Sequence, residues 1–465
     1  MANQRRFIQV IPSATRLISS LRDIGYDFTH AVADLVDNSI AANASTISVD
    51  MRFDGADSWL RLADDGAGMN GTTLTEAMRF GSEREYGPDE LGKFGLGLKT
   101  ASLSQCSRLT VASRESTTTR RIAVRQWDLA HVKASKKWEI IDLPHAEWPD
   151  KLVEPIKNGS GTVVLWEKLE RVMGYKILWG DRAKAGFLKL AEELDLHLGM
   201  VFHRFLTGEA KRKKKLQITI NGTAVAPWDP FARDELGTIA LPNKQIVVSG
   251  DEGPGFVAYA PYILPAQDKF SSLRAFNRQA GPSKWNFQQG FYVYRADRMI
   301  QSGGWSHMRT SDEHTKLARV GLYFWPDLDS AFDLNVAKAR VNLPAELRAE
   351  LKTQIENLVR QARHVYAASS GSTSSKIASG TANQLSIGSA HVRSSGPSSP
   401  DTGSSSVSAG AQTSSAHERE AHSYRTVGSA LEHAAHSVHE ERALFKICEA
   451  LKHENAKVAE LMGWL

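Results

Sequence analysis

The chain has 465 residues, too many for one ordinary domain, and 42% of them are hydrophobic, enough for sizeable cores. Its formal net charge of +5 permits a nucleic-acid or phosphate-bearing partner without requiring one. The two distant cysteines, Cys106 and Cys448, exclude a disulfide framework and a zinc-ligand spacing. No apolar run approaches the roughly 18 residues of a membrane span, and no signal peptide is recognisable, so a cytoplasmic protein is expected.

Residues 1–174 are predicted to form one α+β domain, with helices packed on one face of a mixed sheet. Apolar spacing favours helices within 13–44, broken at Gly25-Tyr26, and over 71–80. A Gly-rich loop at 81–97 should lead into a helix near Leu98. Alternating apolar residues favour strands at 46–53, 59–63, 107–113, 120–127 and 162–166.

A second α/β domain is predicted over 175–367. Its expected strands are 216–220, which runs into the turn signal Asn221-Gly222, and then 290–299 and 318–325. A helix over 344–367 should close this domain.

The last part of the chain changes composition. Residues 368–420 are rich in Ser and Gly, as in a flexible, disordered linker. Residues 421–465 are predicted to be helical, and the apolar spacing over 444–461 favours a short dimerisation element or a helix that docks on its own chain.

Asp34-Leu35-Val36-Asp37-Asn38-Ser39 is the first of three motifs that carry chemistry. Asp34 and Asn38 are four residues apart, so they share one face of a helix. A carboxylate and an amide there could hold a water molecule and a Mg²⁺ ion, which prefers oxygen ligands. The alternative is an ordinary solvated polar face.

The second motif, Asp64-Asp65-Gly66-Ala67-Gly68-Met69, follows a strand. Its glycines would let the backbone approach a flat ligand, and a carboxylate can accept a hydrogen bond from an exocyclic amine. The alternative is a simple strand-to-helix turn.

The third motif is the run from Gly92 to Thr100, in which three glycines precede a helix. Backbone N–H groups at a helix N-terminus form an anion site. The spacing differs from that of a Walker A loop, and a plain flexible loop is the alternative.

Together these motifs resemble the Bergerat-fold ATPase of the GHKL superfamily, which includes gyrase B, heat-shock chaperones, histidine kinases and MutL. The Asp34 helix is similar to the Glu-x-x-x-Asn box, the Asp64 strand end to the Asp-x-Gly-x-Gly box, and the Gly92–Thr100 loop to the ATP lid. Gly161-Thr162 resembles the fourth, Gly-Thr element. The lid looks most like the MORC branch, with features of the heat-shock chaperones.

The resemblance implies ATP and Mg²⁺ as ligands and a role for each motif residue. Asp34 stands where the family has its catalytic Glu, Asn38 would hold Mg²⁺, and Asp64 would recognise the adenine amine with help from Thr162. The base pocket would be lined by Gly66, Gly68 and Met69. The phosphates would be surrounded by Gly92, Lys93, Phe94, Gly95, Leu96, Gly97, Lys99 and Thr100.

The resemblance extends more weakly into the second domain, which looks like an S5-like transducer. Asp333-Leu334-Asn335-Val336 followed by Lys338 resembles the end of the MutL transducer, where a lysine reaches the γ-phosphate. Lys338 is therefore a candidate catalytic residue, and a surface lysine at a strand end is the alternative.

The function implied is a slow Mg²⁺-dependent ATPase whose nucleotide state gates dimerisation or a conformational change. A MORC- or MutL-like homodimer acting on DNA is the first hypothesis, and the basic run Lys211–Lys215 could contact phosphates. A chaperone-like ATPase with protein clients and a non-hydrolysing nucleotide-sensing scaffold remain open. A histidine kinase ranks last, because His30 is the only histidine before the first motif.

Overall fold

The computed structural model describes residues 10–23, 26–81, 97–115, 121–175, 177–211, 214–251, 253–333 and 341–378. They belong to one structural unit, Met1–Gly380, while a second unit, Thr381–Leu465, lies outside the described residues. The predicted C-terminal helix and most of the predicted linker are therefore also outside them. None of the described helices combines the length and apolarity that crossing a bilayer takes.

Seven strands of the described residues form a first sheet in the order β4-β3-β5-β2-β1-β6-β7. Only β1 and β6 are parallel, and all other neighbours in it are antiparallel, so the sheet is mixed as predicted. The strands are β1 Thr46–Arg52, β2 Trp59–Asp64, β3 Arg108–Arg114, β4 Ala123–Asp128, β5 Gly161–Glu167, β6 Gln217–Ile220 and β7 Thr223–Ala224.

The helices of the first half agree with the apolar spacing of the sequence where the sequence predicted them. The longer ones lie on one face of the first sheet, and α7 is a long helix that the sequence analysis missed. Their bounds are α1 Ala14–Arg22, α2 Phe28–Ala41, α3 Gly71–Ala77, α4 Gly97–Gln105, α5 Leu129–Ser135, α6 Asp150–Val153, α7 Asp181–Val201 and α8 His203–Thr207.

The period-two alternation of the strands separates two cores. Val49, Leu62 and Trp166 point to the larger core beneath α1, α2, α4 and α7. Ala63 and Leu165 point to a smaller cluster on the other face, which α6 covers. The α+β class and the main helical layer are thus confirmed, with short elements on the second face.

Strand β6 was expected within the second domain, but it pairs in parallel with β1 and extends the first sheet. Alternation shows that a strand has one buried face and does not show which neighbour it pairs with. The domain division at 174/175 stays a prediction.

A second mixed sheet has the order β12-β11-β13-β10-β8, and β9 also pairs with β10. Helix α11 packs against the second sheet through Leu347, Leu351 and Leu358. The elements are β8 Ile239–Ala240, β9 Lys244–Gly250, β10 Gly253–Ile263, α9 Leu273–Gln279, α10 Lys284–Phe287, β11 Gly290–Arg295, β12 Arg298–Ser302, β13 Ala318–Phe324 and α11 Ala345–Ala378.

Two boundaries in this half differ from the sequence prediction. The strand expected over 290–299 is a hairpin, because Ala296 and Asp297 take positive φ values of 46° and 69° and reverse the chain. Helix α11 continues to Ala378, past its predicted end at 367. Extending an existing helix is easier than starting one, so Ser and Gly after residue 367 need not end it.

Leu62→Ala tests the larger core. Leu62 is 1% exposed, and its truncation should lower the free energy of unfolding by about 2–5 kcal/mol, because a buried leucine leaves a cavity. Leu236→Ala is the matched control, since Leu236 is fully exposed and its truncation should change stability by no more than about 0.5 kcal/mol. Denaturant titration of both variants makes the measurement, and equal midpoints would contradict the assigned core.

Candidate functional site

Helix α2 carries the first motif, and two of its polar residues, Asp34 and Asn38, differ in their exposure to solvent. The Asp27 carboxylate caps the helix by accepting from the His30 backbone N–H at 2.9 Å. One turn and more along it, Asp34 is 4% exposed, whereas Asn38 is exposed. Asp34 is thus held within the protein and Asn38 faces outward beside it.

The start of α4 lies against Asp34. A β-carbon built on Gly97, the first residue of α4, would be 3.7 Å from Oδ2 of Asp34. The amino end of a helix favours negative groups, because its first N–H groups have no partner within the helix. A phosphate bound there would therefore have a carboxylate beside it.

Tyr26 links these two helices. Its hydroxyl is hydrogen-bonded to the Asp34 carboxylate and to the Thr100 hydroxyl, and its backbone carbonyl accepts from Gln105 Nε2 at 2.9 Å. Burial and the neighbouring Asp34 raise the pKa of Tyr26, so the phenol stays protonated and donates to the carboxylate. The sequence motifs gave no signal for this role of Tyr26.

Lys99, assigned to the phosphates, is 2% exposed, and its Nζ donates to the carbonyl oxygen of Ala77 at 3.0 Å. Burial lowers the pKa of Lys99 to about 8, against the opposing effect of Glu76. The lysine thus ties the start of α4 to the end of α3. Its contact with phosphate stays a prediction.

Asp64, at the end of β2, accepts hydrogen bonds on both carboxylate oxygens. Oδ1 accepts from the backbone N–H of Gly66 at 2.9 Å and of Thr162 at 3.3 Å, and Oδ2 accepts from the Ser39 hydroxyl at 2.8 Å. Burial raises the pKa of Asp64 although these hydrogen bonds oppose it. The carboxylate is fixed in place, and Oδ2 retains a lone-pair direction for a further donor.

Thr162 lies beside Asp64 because β5 pairs with β2 in the register Asp64↔Thr162. Its hydroxyl is 2.8 Å from the hydroxyl of Ser113 on β3, which also accepts from the backbone N–H of Met69 at 2.8 Å. Strand pairing joins Asp64 to Thr162, and hydrogen bonds through Ser113 join Met69 to Thr162. Ser39, the last residue of the first motif, and Ser113 complete this network. The sequence predicted no role for either, because a serine in a helix or strand does not indicate its partner.

The glycines of the second motif serve the fold itself. Gly68 has φ +68°, and a β-carbon there would lie 1.8 Å from the carbonyl oxygen of Arg114. A β-carbon on Gly66 would lie 2.9 Å from the β-carbon and the carbonyl oxygen of Ala42. Close approach of backbone to backbone accounts for both positions, and their contact with a nucleotide base stays a prediction.

Some predicted site residues lie outside the described residues, namely Gly92, Lys93, Phe94, Gly95, Leu96 and Lys338. Within the part of the chain that is described, no group of three or more His, Cys, Asp or Glu side chains could hold a metal ion. A Mg²⁺ ion here would rest on Asn38 with phosphate and water oxygens, which is the kind of site this ion favours.

The donors and acceptors fit an adenine nucleotide. Asp64 offers a fixed acceptor for an exocyclic amine, and α4 presents its amino end. Asp34 lies next to that end of α4 and about one turn of α2 from Asn38.

Comparison with known families agrees with this geometry. The model of the "Histidine kinase-, DNA gyrase B-, and HSP90-like ATPase" family matches residues 26–162. The match begins at Tyr26, ends at Thr162 and encloses the three motifs. No curated protein matched the chain. Residues 26–162 therefore form an ATPase domain of the GHKL type.

Proposed function

We propose that the chain is a Mg²⁺-dependent ATP hydrolase of low turnover, which converts ATP and water to ADP and phosphate. The observation that carries this proposal is the position of the Asp34 carboxylate, buried and next to the first residue of α4. A base beside an anion-binding helix end is what attack of water on a phosphate requires.

Each residue has one task in this reaction. Asp64 accepts the adenine amine, and the N–H groups at the start of α4 hold the phosphates. The Asp34 carboxylate takes a proton from the attacking water as the new P–O bond forms and the bond to the ADP oxygen breaks. Asn38 holds Mg²⁺, which neutralises phosphate charge when bound.

The low turnover follows from the side chain at the base position. Asp is one methylene shorter than the family's Glu, so its oxygens reach less far toward a water. Asp34 is also hydrogen-bonded to Tyr26, which restricts its movement. General-base help depends on geometry at hydrogen-bond distance, so a short and restrained base should act slowly.

The finer proposal is that ATP brings two copies of the chain together on DNA, as the MORC and MutL resemblance implies. Support comes from the segment between α8 and β6, where Lys214 and Lys215 are exposed. The positive charges of Lys214 and Lys215 would contact the phosphate backbone.

Asp64→Asn tests nucleotide recognition. The Asn side chain would present an N–H donor where the carboxylate presents an acceptor to the adenine amine. The Kd for ATP should therefore rise about 10- to 100-fold, in line with the loss of a hydrogen bond to a charged group. The matched control is Asp65→Asn, because the Asp65 carboxylate accepts from Ser45 and Thr46 and thereby holds the start of β1. Equilibrium binding of a fluorescent ATP analogue measures both, and equal weakening in the two variants would count against the adenine role.

Asp34→Asn tests the base. Turnover at saturating ATP should fall by about 10²–10⁴-fold, because an amide cannot accept the proton. The Kd for ATP should change by less than about threefold, since the residue acts in the chemical step. Phosphate release by the purified chain is the measurement. If Asp34→Asn turned over ATP as fast as the parent, Asp34 would not be the base.

Duplex DNA tests the finer proposal. DNA should stimulate turnover at about 50 mM salt and much less at about 200 mM, because binding through phosphates releases counterions. Replacing Lys214 and Lys215 together by Glu should weaken the stimulation, whereas replacing the exposed Lys136 and Lys137 by Glu should not. No stimulation at either salt concentration would favour the chaperone-like or scaffold alternatives.

A further inference from the structure

A buried arginine of the second sheet reaches the helix that carries the candidate base. Arg298 begins β12 and is 2% exposed. Its Nε lies 2.9 Å from Oδ1 and 2.8 Å from Oδ2 of Asp37, and its Nη2 lies 3.9 Å from Oδ1 of Asp34. Arg298 and Asp37 are 261 residues apart in sequence, so only the fold brings them together.

The two carboxylates stand in the right relation for one guanidinium to serve both. Asp34 and Asp37 are three apart on α2, so they lie on the same side of the helix. Asp37 is 1% exposed and Asp34 4% exposed, so neither carboxylate is well solvated. The planar guanidinium presents several N–H groups in a fixed geometry, which allows an anchor on Asp37 through Nε and a second, longer contact with Asp34 through Nη2.

The rest of the Arg298 environment holds it in position. One Nη1 hydrogen bond goes to the carbonyl oxygen of Met299 at 3.3 Å, and the guanidinium lies 5.8 Å from the ring centre of Phe202 at the start of α8. A buried ion pair by itself is weak evidence for stability, because desolvation offsets much of the attraction. Orienting the neighbouring carboxylate of Asp34 would be a function of the Arg298–Asp37 pair other than stability.

The Asp34 carboxylate is oriented by what each oxygen meets. Oδ1 faces Arg298 and Oδ2 faces the start of α4, where Gly97 lies. A partial rotation of the carboxylate about its Cβ–Cγ bond would turn both oxygens away from these groups. Arg298 therefore favours the orientation in which one oxygen stays directed at the anion-binding end of α4.

We propose that Arg298 is a positioning residue for hydrolysis, anchored on Asp37 and acting through Asp34. The second sheet then supplies a part of the ATPase site that residues 26–162 lack. This inference rests on the proposed function, because it takes Asp34 as the base.

The hairpin offers a matched control. Arg295, on β11 of the same hairpin, is 3% exposed and forms a buried two-pronged ion pair with Asp329, at 2.6 Å from Nε to Oδ1 and 2.7 Å from Nη2 to Oδ2. Its partner Asp329 lies shortly after β13, at the end of the turn Pro326–Leu328. Arg295→Lys thus disturbs an equally buried pair in the same hairpin without touching α2.

The test measures turnover at saturating ATP and the Kd for ATP, with the full chain, for Arg298→Lys, Asp37→Asn and Arg295→Lys. Arg298→Lys keeps the charge and loses the fork, and Asp37→Asn removes the anchor from the other side. Each should lower kcat about tenfold or more and change the Kd less than about threefold, while Arg295→Lys should stay close to the parent. Combined with Asp34→Asn, Arg298→Lys should add no further loss, because both act on one step.

The outcomes separate this inference from the proposed function. If Asp34→Asn lowers kcat but Arg298→Lys and Asp37→Asn do not, the inference is wrong and the ATPase assignment stands. Equal losses in Arg298→Lys and Arg295→Lys, or a large rise in Kd with Arg298→Lys, would also overturn it, by indicating loss of the hairpin or of binding. If the parent and Asp34→Asn hydrolyse ATP equally, Asp34 is not the base, and if the parent hydrolyses no ATP, the proposed function itself fails.

Discussion

The packing of α2 against the start of α4 is the constraint on which the candidate site depends. It brings Asp34 next to Gly97, although the segment between the second motif and α4 separates them in sequence. Tyr26 maintains this arrangement, since its hydroxyl bonds to Asp34 and Thr100 and its carbonyl accepts from Gln105. If α4 shifted along α2, the carboxylate and the anion-binding helix end would no longer face the same space.

Burial gives the charged groups of this region their effect. Asp64, Asp34, Asp37 and Arg298 are each 9% exposed or less, and in such surroundings a charge without partners would cost several kcal/mol. The hydrogen bonds that offset this cost also fix the side chains. Asp64 is held by Gly66, Thr162 and Ser39 before any ligand arrives, so nucleotide binding need not order it.

A buried ion pair also connects the two sheets. The ATPase domain of residues 26–162 contains the motifs, yet one of its buried carboxylates, Asp37, is neutralised by Arg298 from the second sheet. Any movement of the β11–β12 hairpin relative to α2 would expose or separate these charges. This ion pair connects the second sheet to a carboxylate that lies one turn from Asp34.

The sequence by itself determined the local part of this protein. Strands β1 to β6, the helices α1 to α3 and the position of Asp34 and Asn38 on one helix face follow from periodicities of two and 3.6, which are properties of neighbouring residues. The three motifs, in their order along the chain, predicted the superfamily by their resemblance to its motifs. The sequence did not predict the long helix α7 or the Ala296-Asp297 turn, the latter because Ala is an unusual residue at positive φ and Ala-Asp is not a recognised hairpin turn pair.

Only the tertiary structure decided which distant groups meet. Alternation predicted the strand at 216–220 but not its parallel partner β1, and no pattern linked Ser39 or Ser113 to Asp64 and Thr162. Arg298 gave no signal because its place against Asp37 depends on a contact between residues 261 apart in the chain. Local periodicity carries no information about such contacts, since they depend on how whole layers pack.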